Sequence, residues 1–287
     1  MGSAKLAIAP AVPLSLPAGG AKAPPAWVGG ALRWLLRLGS LLACVALWEL
    51  AAAKRLDLGL VTFAHVPPPS EVGPAIWKLV NSPKFFNHVN SSLLRVFSGF
   101  LAAAVAGVAL GLIIGRSRAA EDAVLPPLEA LRPIPAVSWI PLAILMFPSS
   151  ELSMIFITFI GALFPVLLNT IHGVHAVDGR LVAAARSLGA GRLATLREVI
   201  LPGAAPSIVT GLTIGMGTSW FCLVTAEMIA GQFGIGYYTW ESYTLQNYAD
   251  IVVGMVFIGL FGMASSAALR RLGTLAMPWY RLREKQS

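Results

Sequence analysis

Residues 179–202 read GRLVAAARSLGAGRLATLREVILP, and they sit between two long apolar runs, 152–172 and 203–228. Four arginines fall here, Arg180, Arg186, Arg192 and Arg197. The segment from Gly173 to Leu201 is too long for a plain connection between helices. Its composition predicts two short helices, LVAAARSL and RLATLREVI, separated by Gly189-Ala190-Gly191. Asp178 is placed to cap the first helix, since its carboxylate can accept from free N–H groups of the first turn. Gly189 can adopt the left-handed conformation that ends it. Pro202 is predicted to open the next apolar run, where a missing N–H costs nothing. Leu181, Ala184, Ala185 and Leu188 recur on one side at helical spacing, flanked by Arg180 and Arg186. A small-residue surface of this kind has two physical readings, a helix resting on lipid headgroups or one seated in a partner's groove.

The rest of the chain explains why a short amphipathic helix should matter. Hydrophobic residues make up 56% of the 287 and charged residues 12%, with a mean hydropathy of +0.74. A water-soluble fold of this size would expose large apolar patches with so few charges. Composition therefore excludes a soluble enzyme, a disordered regulator and a disulfide scaffold. Cys44 and Cys222 lie in separate apolar runs, and the four histidines form no zinc pattern. Apolar runs long enough to cross a bilayer fall at about 34–53, 92–114, 127–147, 152–172, 203–228 and 250–269. The reading is an all-α polytopic membrane protein with six spans. Residues 1–31 are expected to be a flexible tail, 32–276 the membrane domain with its loop at 174–201, and 277–287 a second tail.

The basic residues set the expected orientation. With the N-terminus in the cytoplasm, sixteen of the 21 Lys and Arg fall on the inner side, leaving Lys54, Arg55, Lys78, Lys84 and Arg95 outside. That asymmetry predicts both termini inside. It also accounts for the formal charge of +8 without nucleic acid. Gly107, Gly111 and Gly115, and separately Gly211 and Gly215, stand four apart and predict close helix packing.

The stretch AAARSLGAGRLATLREVILP resembles the EAA loop of ABC-importer permeases, in which E-A-A is followed by three residues, G, nine residues, I, one residue and L-P. Ala183, Ala184 and Ala185 occupy the first three positions, Gly189 the glycine, Val199 the isoleucine, and Leu201-Pro202 the end. Ala183 stands in place of the family's Glu and Val199 in place of Ile. HVPPPSEV (65–72), LRPIPAVSWIPL (131–142), FPVLLNT (164–170) and AEMIAG (226–231) are similar to the nitrate/sulfonate/taurine branch of these permeases.

The resemblance implies a type I ABC importer fold in which the loop is a cytoplasmic coupling helix. It implies two permease subunits, here expected as a homodimer, in the inner membrane. A cytoplasmic ATPase dimer would bind the ATP, and a periplasmic or lipid-anchored binding protein would deliver a small anion or organic solute. No phosphate-binding G-x-x-x-x-G-K-[ST] occurs, so no cofactor and no enzymatic activity are expected in this chain. A solitary secondary transporter or channel is the other reading. The absence of repeats and of evident buried charge pairs counts against it.

Candidate pathway residues follow from span position. Glu227, near the outer end of the fifth span, is either a pathway or gate carboxylate or a group cross-linking helices. Arg132 sits at the inner mouth of the third span, as an anion contact or a helix anchor. Trp139, Ser219 and Trp220 lie mid-span, where they line a cavity or pack. Glu49 is expected to pair with Lys54 or Arg55. The 231–249 stretch is read as an aromatic loop, and 70–80 as a short amphipathic helix.

Overall fold

A computed structural model describes residues 26–279, with side chains from residue 32. The expected tails lie outside the described residues except for 26–31, which are already helical backbone, and 277–279. Among the described residues the fold is helical throughout, with a lone β-bridge between Asp57 and Thr62. Helix α1 spans Ala26–Ala53. The chain divides at Trp48 and Glu49 into two units. The second unit begins with the last turn of α1 and holds everything described below.

In order, the second unit contains α2 (Pro69–Val80), α3 (Pro83–Arg116), α4 (Arg118–Leu131) and α5 (Ile140–Met146). These are followed by α6 (Ser150–His175), α7 (Gly179–Ser187), α8 (Arg192–Thr195), α9 (Leu201–Ala230), α10 (Ile235–Thr244) and α11 (Tyr248–Ala276). Polar residues at the boundaries explain several starts. Ser82, Ser117, Ser149 and Asp178 each accept from an N–H of the first turn of α3, α4, α6 and α7, which satisfies groups that the helix leaves free.

Five helical stretches among the described residues are long and apolar enough to cross a bilayer. The expected third span is not one continuous helix. The α4 helix and the Ala136–Met146 segment meet at an angle of 84°. Pro133 and Pro135 supply no N–H to continue the ladder, so the chain breaks there and restarts through a single 3-10 turn, Ala136–Trp139. Counting this bent pair as one span brings the total to six.

Two further differences concern helix starts. Pro202 does not begin the fifth span, because helical backbone already runs from Arg192, through a π-helical turn at Leu196–Ile200, into α9. A wider turn just before a proline accommodates a ring that would otherwise crowd the carbonyl four residues back. The expected aromatic loop at 231–249 contains α10.

Helix α6 forms the centre, packed between α3 and α9. Close approach is possible because small residues face it. A Cβ added at Gly107 would lie 2.9 Å from Val166, and one at Gly111 would lie 2.6 Å from Thr170. On the other side, Gly211 and Gly215 meet Asn169 and Val166 at 2.7 and 3.0 Å. The spaced glycines of the sequence are therefore helix contacts. Val96, Phe100, Met154, Ile157, Met216 and Leu223 fill the buried core between these three helices.

Candidate functional site

The two ends of α9 carry the features with chemistry. At one end lies the segment quoted first. Helix α7 ends at Ser187 with Leu188 as its C-cap, and Gly189 takes φ +85°, the left-handed conformation that closes a helix at little cost only for glycine. Its neighbourhood is open, with nothing near an added Cβ. Leu181 is 58% exposed and Leu188 89% exposed, and Ala183 and Ala184 are exposed beside them. Val182 faces the other way, against the cluster of Val174, Ile200, Ala204 and Ile208. Thus α7 rests one flank on the spans and presents small and apolar residues outward. Val199 and Pro202 are half-buried and Leu201 is exposed.

Asp178 holds this segment in place. Its carboxylate accepts from the Arg180 N–H at 2.9 Å and from the Arg180 guanidinium at 2.8 Å. The side-chain bond from Arg180, then the backbone bond, hold the Asp178 carboxyl below its ordinary range. A depressed carboxyl contributes above its unfolded pKa and loses that contribution as pH falls through the folded value. Asp178→Ala should therefore loosen α7 at neutral pH through the lost cap. Hydrogen exchange of the α7 amides should speed up in the variant at pH 7, and the gap from wild type should narrow on acidification.

At the other end of α9 is a buried charge network. Glu227 is fully buried. Arg95 of α3 donates to it through Nη1 at 2.8 Å. The Ser92 hydroxyl lies 2.8 and 3.0 Å from the two Glu227 oxygens, and the Gly236 N–H donates at 3.0 Å. Arg95 also donates through Nε to Glu151 of α6 at 2.7 Å, through Nη2 to the same carboxylate, and to the Phe233 carbonyl at 2.6 Å. Ser92 accepts from the Ile235 N–H at 2.9 Å, and the Gly234 N–H donates to Nδ1 of His88 at 3.1 Å. Gly234 has φ +129°, and a Cβ there would fall 2.3 Å from the Glu227 carboxyl carbon. Only glycine fits. The network ties α3, α6, α9 and the start of α10 together, and every charged atom of the Arg95–Glu227 pair has a partner, as a buried pair requires.

This corrects the expectation that the spans hold no buried charge pair. Arg95, an expected outer-side charge, lies instead within the buried network, together with Ser92, Glu151, His88 and Gly234. The available signal is an arginine and a glutamate at matching ends of two apolar runs. Glu49 also differs from expectation: its oxygens accept from the Ser70 N–H at 3.0 Å and hydroxyl at 2.8 Å, fixing the start of α2.

The proposed pathway residues are not gathered at one place. Glu227 is enclosed in the network. Trp220 is buried, donates its indole N–H to Ser265 at 2.9 Å and stacks on Phe261. Ser219 is buried against the Thr158 carbonyl at 3.4 Å. Trp139 is half-buried on the flank of the central core. Arg132 is exposed at the bend after α4, beside a small cleft with Leu128 and Phe164.

A chain whose described residues are helical, with α3 and α9 packed on α6 and a short helix pair turned out between α6 and α9, is a multi-pass membrane protein of the transport-permease class. The chain belongs to the family described as the binding-protein-dependent transport system inner membrane component, whose profile matches residues 107–281. It is 34% identical over 224 residues to the nitrate import permease protein of Synechocystis, covering 75% of this chain and 82% of that one. It is 30% identical over 250 residues to the taurine transport system permease protein of Escherichia coli, covering 85% and 90%. A bicarbonate transport system permease protein of Synechococcus elongatus is 35% identical over 174 residues, covering 60% and 63%. The chain is thus a transmembrane permease subunit of an ABC importer.

Proposed function

We propose that this permease, as a pair of identical subunits with both termini cytoplasmic, forms the pathway for a small oxyanion or sulfonate-like solute delivered by a binding protein. A separate ATPase pair holds the ATP and drives it. The substrate class rests on the nitrate, taurine and bicarbonate relatives. The single observation that carries the coupling role is the outward face of α7, closed by the left-handed Gly189, at the spacing of the EAA loop.

In this reading Ala183, Ala184 and Ala185 let the ATPase surface approach the helix backbone closely. Gly189 sets the angle between α7 and α8, and Val199, Leu201 and Pro202 carry the movement into α9. The continuous helix from Arg192 to Ala230 is a stiff element, so a displacement at its inner end reaches its outer end. The test is to purify the chain with its ATPase and measure transport and ATP hydrolysis together in proteoliposomes. Gly189→Val forces a β-branched residue into positive φ. It is expected to leave the complex assembled while transport per ATP hydrolysed falls at least tenfold. An unchanged ratio in the assembled variant overturns the coupling assignment, and transport without any ATPase overturns the importer mechanism.

A further inference from the structure

The segment between α1 and α3 carries apolar side chains and basic charge in an arrangement that helix packing does not use. Residues 56–63 form a small hairpin. Leu58 N–H donates to the Val61 carbonyl at 2.9 Å and Phe63 N–H to the Leu56 carbonyl at 2.8 Å. The Asp57 carboxylate accepts from the Gly59 N–H at 2.9 Å, so this acid is turned into its own loop. Tight turns favour Asn, Asp, Gly and Ser at their tips. Here the tip is Leu58-Gly59-Leu60-Val61, and Leu60 is 101% exposed. Such a tip placed in water would be unfavourable.

Position and charge identify what covers it. The hairpin starts three residues after α1 ends at Ala53, the end of a helical stretch long and apolar enough to cross a membrane. Glu49, in the last turn of α1, holds Ser70 at the start of α2. Trp77 of α2 is 73% exposed, and tryptophan favours the membrane–water boundary. Lys54, Arg55, Lys78 and Lys84 are all exposed, and none has an ion-pair partner among the described residues. Basic residues are depleted on the outer side of membrane proteins, so four without ion-pair partners within residues 54–84 call for an anionic counterpart. Arg55 also borders an open cavity of about 530 Å³ lined with His65, Glu71 and Tyr248.

We infer that residues 54–86 form a phospholipid-binding platform in the outer leaflet. The Leu58–Val61 tip inserts among the acyl chains, and Lys54, Arg55, Lys78 and Lys84 contact phosphates. The choice of leaflet rests on the orientation proposed above; insertion of the tip does not.

The test uses the assembled transporter in vesicles of phosphatidylethanolamine and phosphatidylglycerol. A nitroxide is attached at Leu60→Cys in a Cys44→Ser background, Cys222 being buried. Collisions with oxygen should exceed those with a water-soluble nickel chelate severalfold, and the ratio should reverse for the label at Lys78→Cys. Nickel collisions dominating at residue 60 overturn the proposal. So does shielding from both reagents, which would mean that a second copy or the binding protein covers the tip. A membrane-impermeant maleimide applied to intact cells reads the side separately. Labelling of Lys78→Cys from outside is expected; absence of labelling while the tip still collides with oxygen overturns the outer-leaflet assignment and the orientation alone.

Discussion

Arg95→Met is expected to destabilise the protein by about 3–5 kcal/mol, the usual consequence of leaving one half of a buried ion pair behind. Glu227 is fully buried, and without Arg95 its negative charge would keep only Ser92 and the Gly236 N–H. Neither supplies a positive charge. The decisive comparison is the double variant Arg95→Met/Glu227→Met. Removing both charges leaves no ion to desolvate, and replacing whole pairs by apolar groups is often near neutral. Thermal unfolding in detergent should therefore show a large drop in Tm for Arg95→Met and recovery of most of it in the double variant. Equal losses for the single and double variants would mean that packing, not charge, sets the cost. Glu151→Gln is expected to do far less, because its side chain is 60% exposed and water screens that contact.

The second large effect is expected at the contact between α3 and α6. A Cβ at Gly99 would lie 2.6 Å from the Ile155 carbonyl oxygen and 2.7 Å from the Thr158 Cβ. Backbone cannot rotate away as a side-chain end can, so Gly99→Leu must push the two helices apart. Overpacking of a tight core costs about 1–3 kcal/mol and occasionally more, and this site belongs at the upper end because the obstacle is main chain. Gly73→Ala is the control. It sits in α2 with nothing near an added Cβ, and replacing a helical glycine there should stabilise by about 0.5–1 kcal/mol. Opposite shifts in Tm for the two variants would support the packing argument; similar shifts would refute it.

Both predictions concern features of different legibility. The glycine spacing in GVALGLIIG pointed to helix packing because a period of four places small residues on one face whatever their partner is. Gly99 lies outside that run, and nothing in its neighbours marks it. Its importance comes from the part of α6 that passes beside it. The helical content of 179–200 was readable from Asp178, the alanines and the glycine break, since caps and breaks act within a few residues. The π-helical turn before Pro202 was not, because whether a proline starts a helix or lies within one depends on what precedes it in space. The bend at 132–135 was half visible: two prolines one residue apart announce a break, but an apolar run by itself reads as continuous.

The sequence alone determined the solvent, the helical class, the near-complete set of spanning segments and the helix–glycine–helix pattern of residues 179–200. These depend on composition and on intervals of a few to about twenty residues, which the chain displays directly. Tertiary structure decided which polar groups meet. Arg95 and Glu227 are 132 residues apart in the chain, and they join only because α3 and α9 both pack on α6. That packing removes water from Glu227, and the loss of water turns an ordinary pair of charges into a fixed joint between four elements. Glu49 found Ser70 in place of its basic neighbours for the same kind of reason. The start of α2 is brought to it by the fold, and a carboxylate beside free helix N–H groups is held by them.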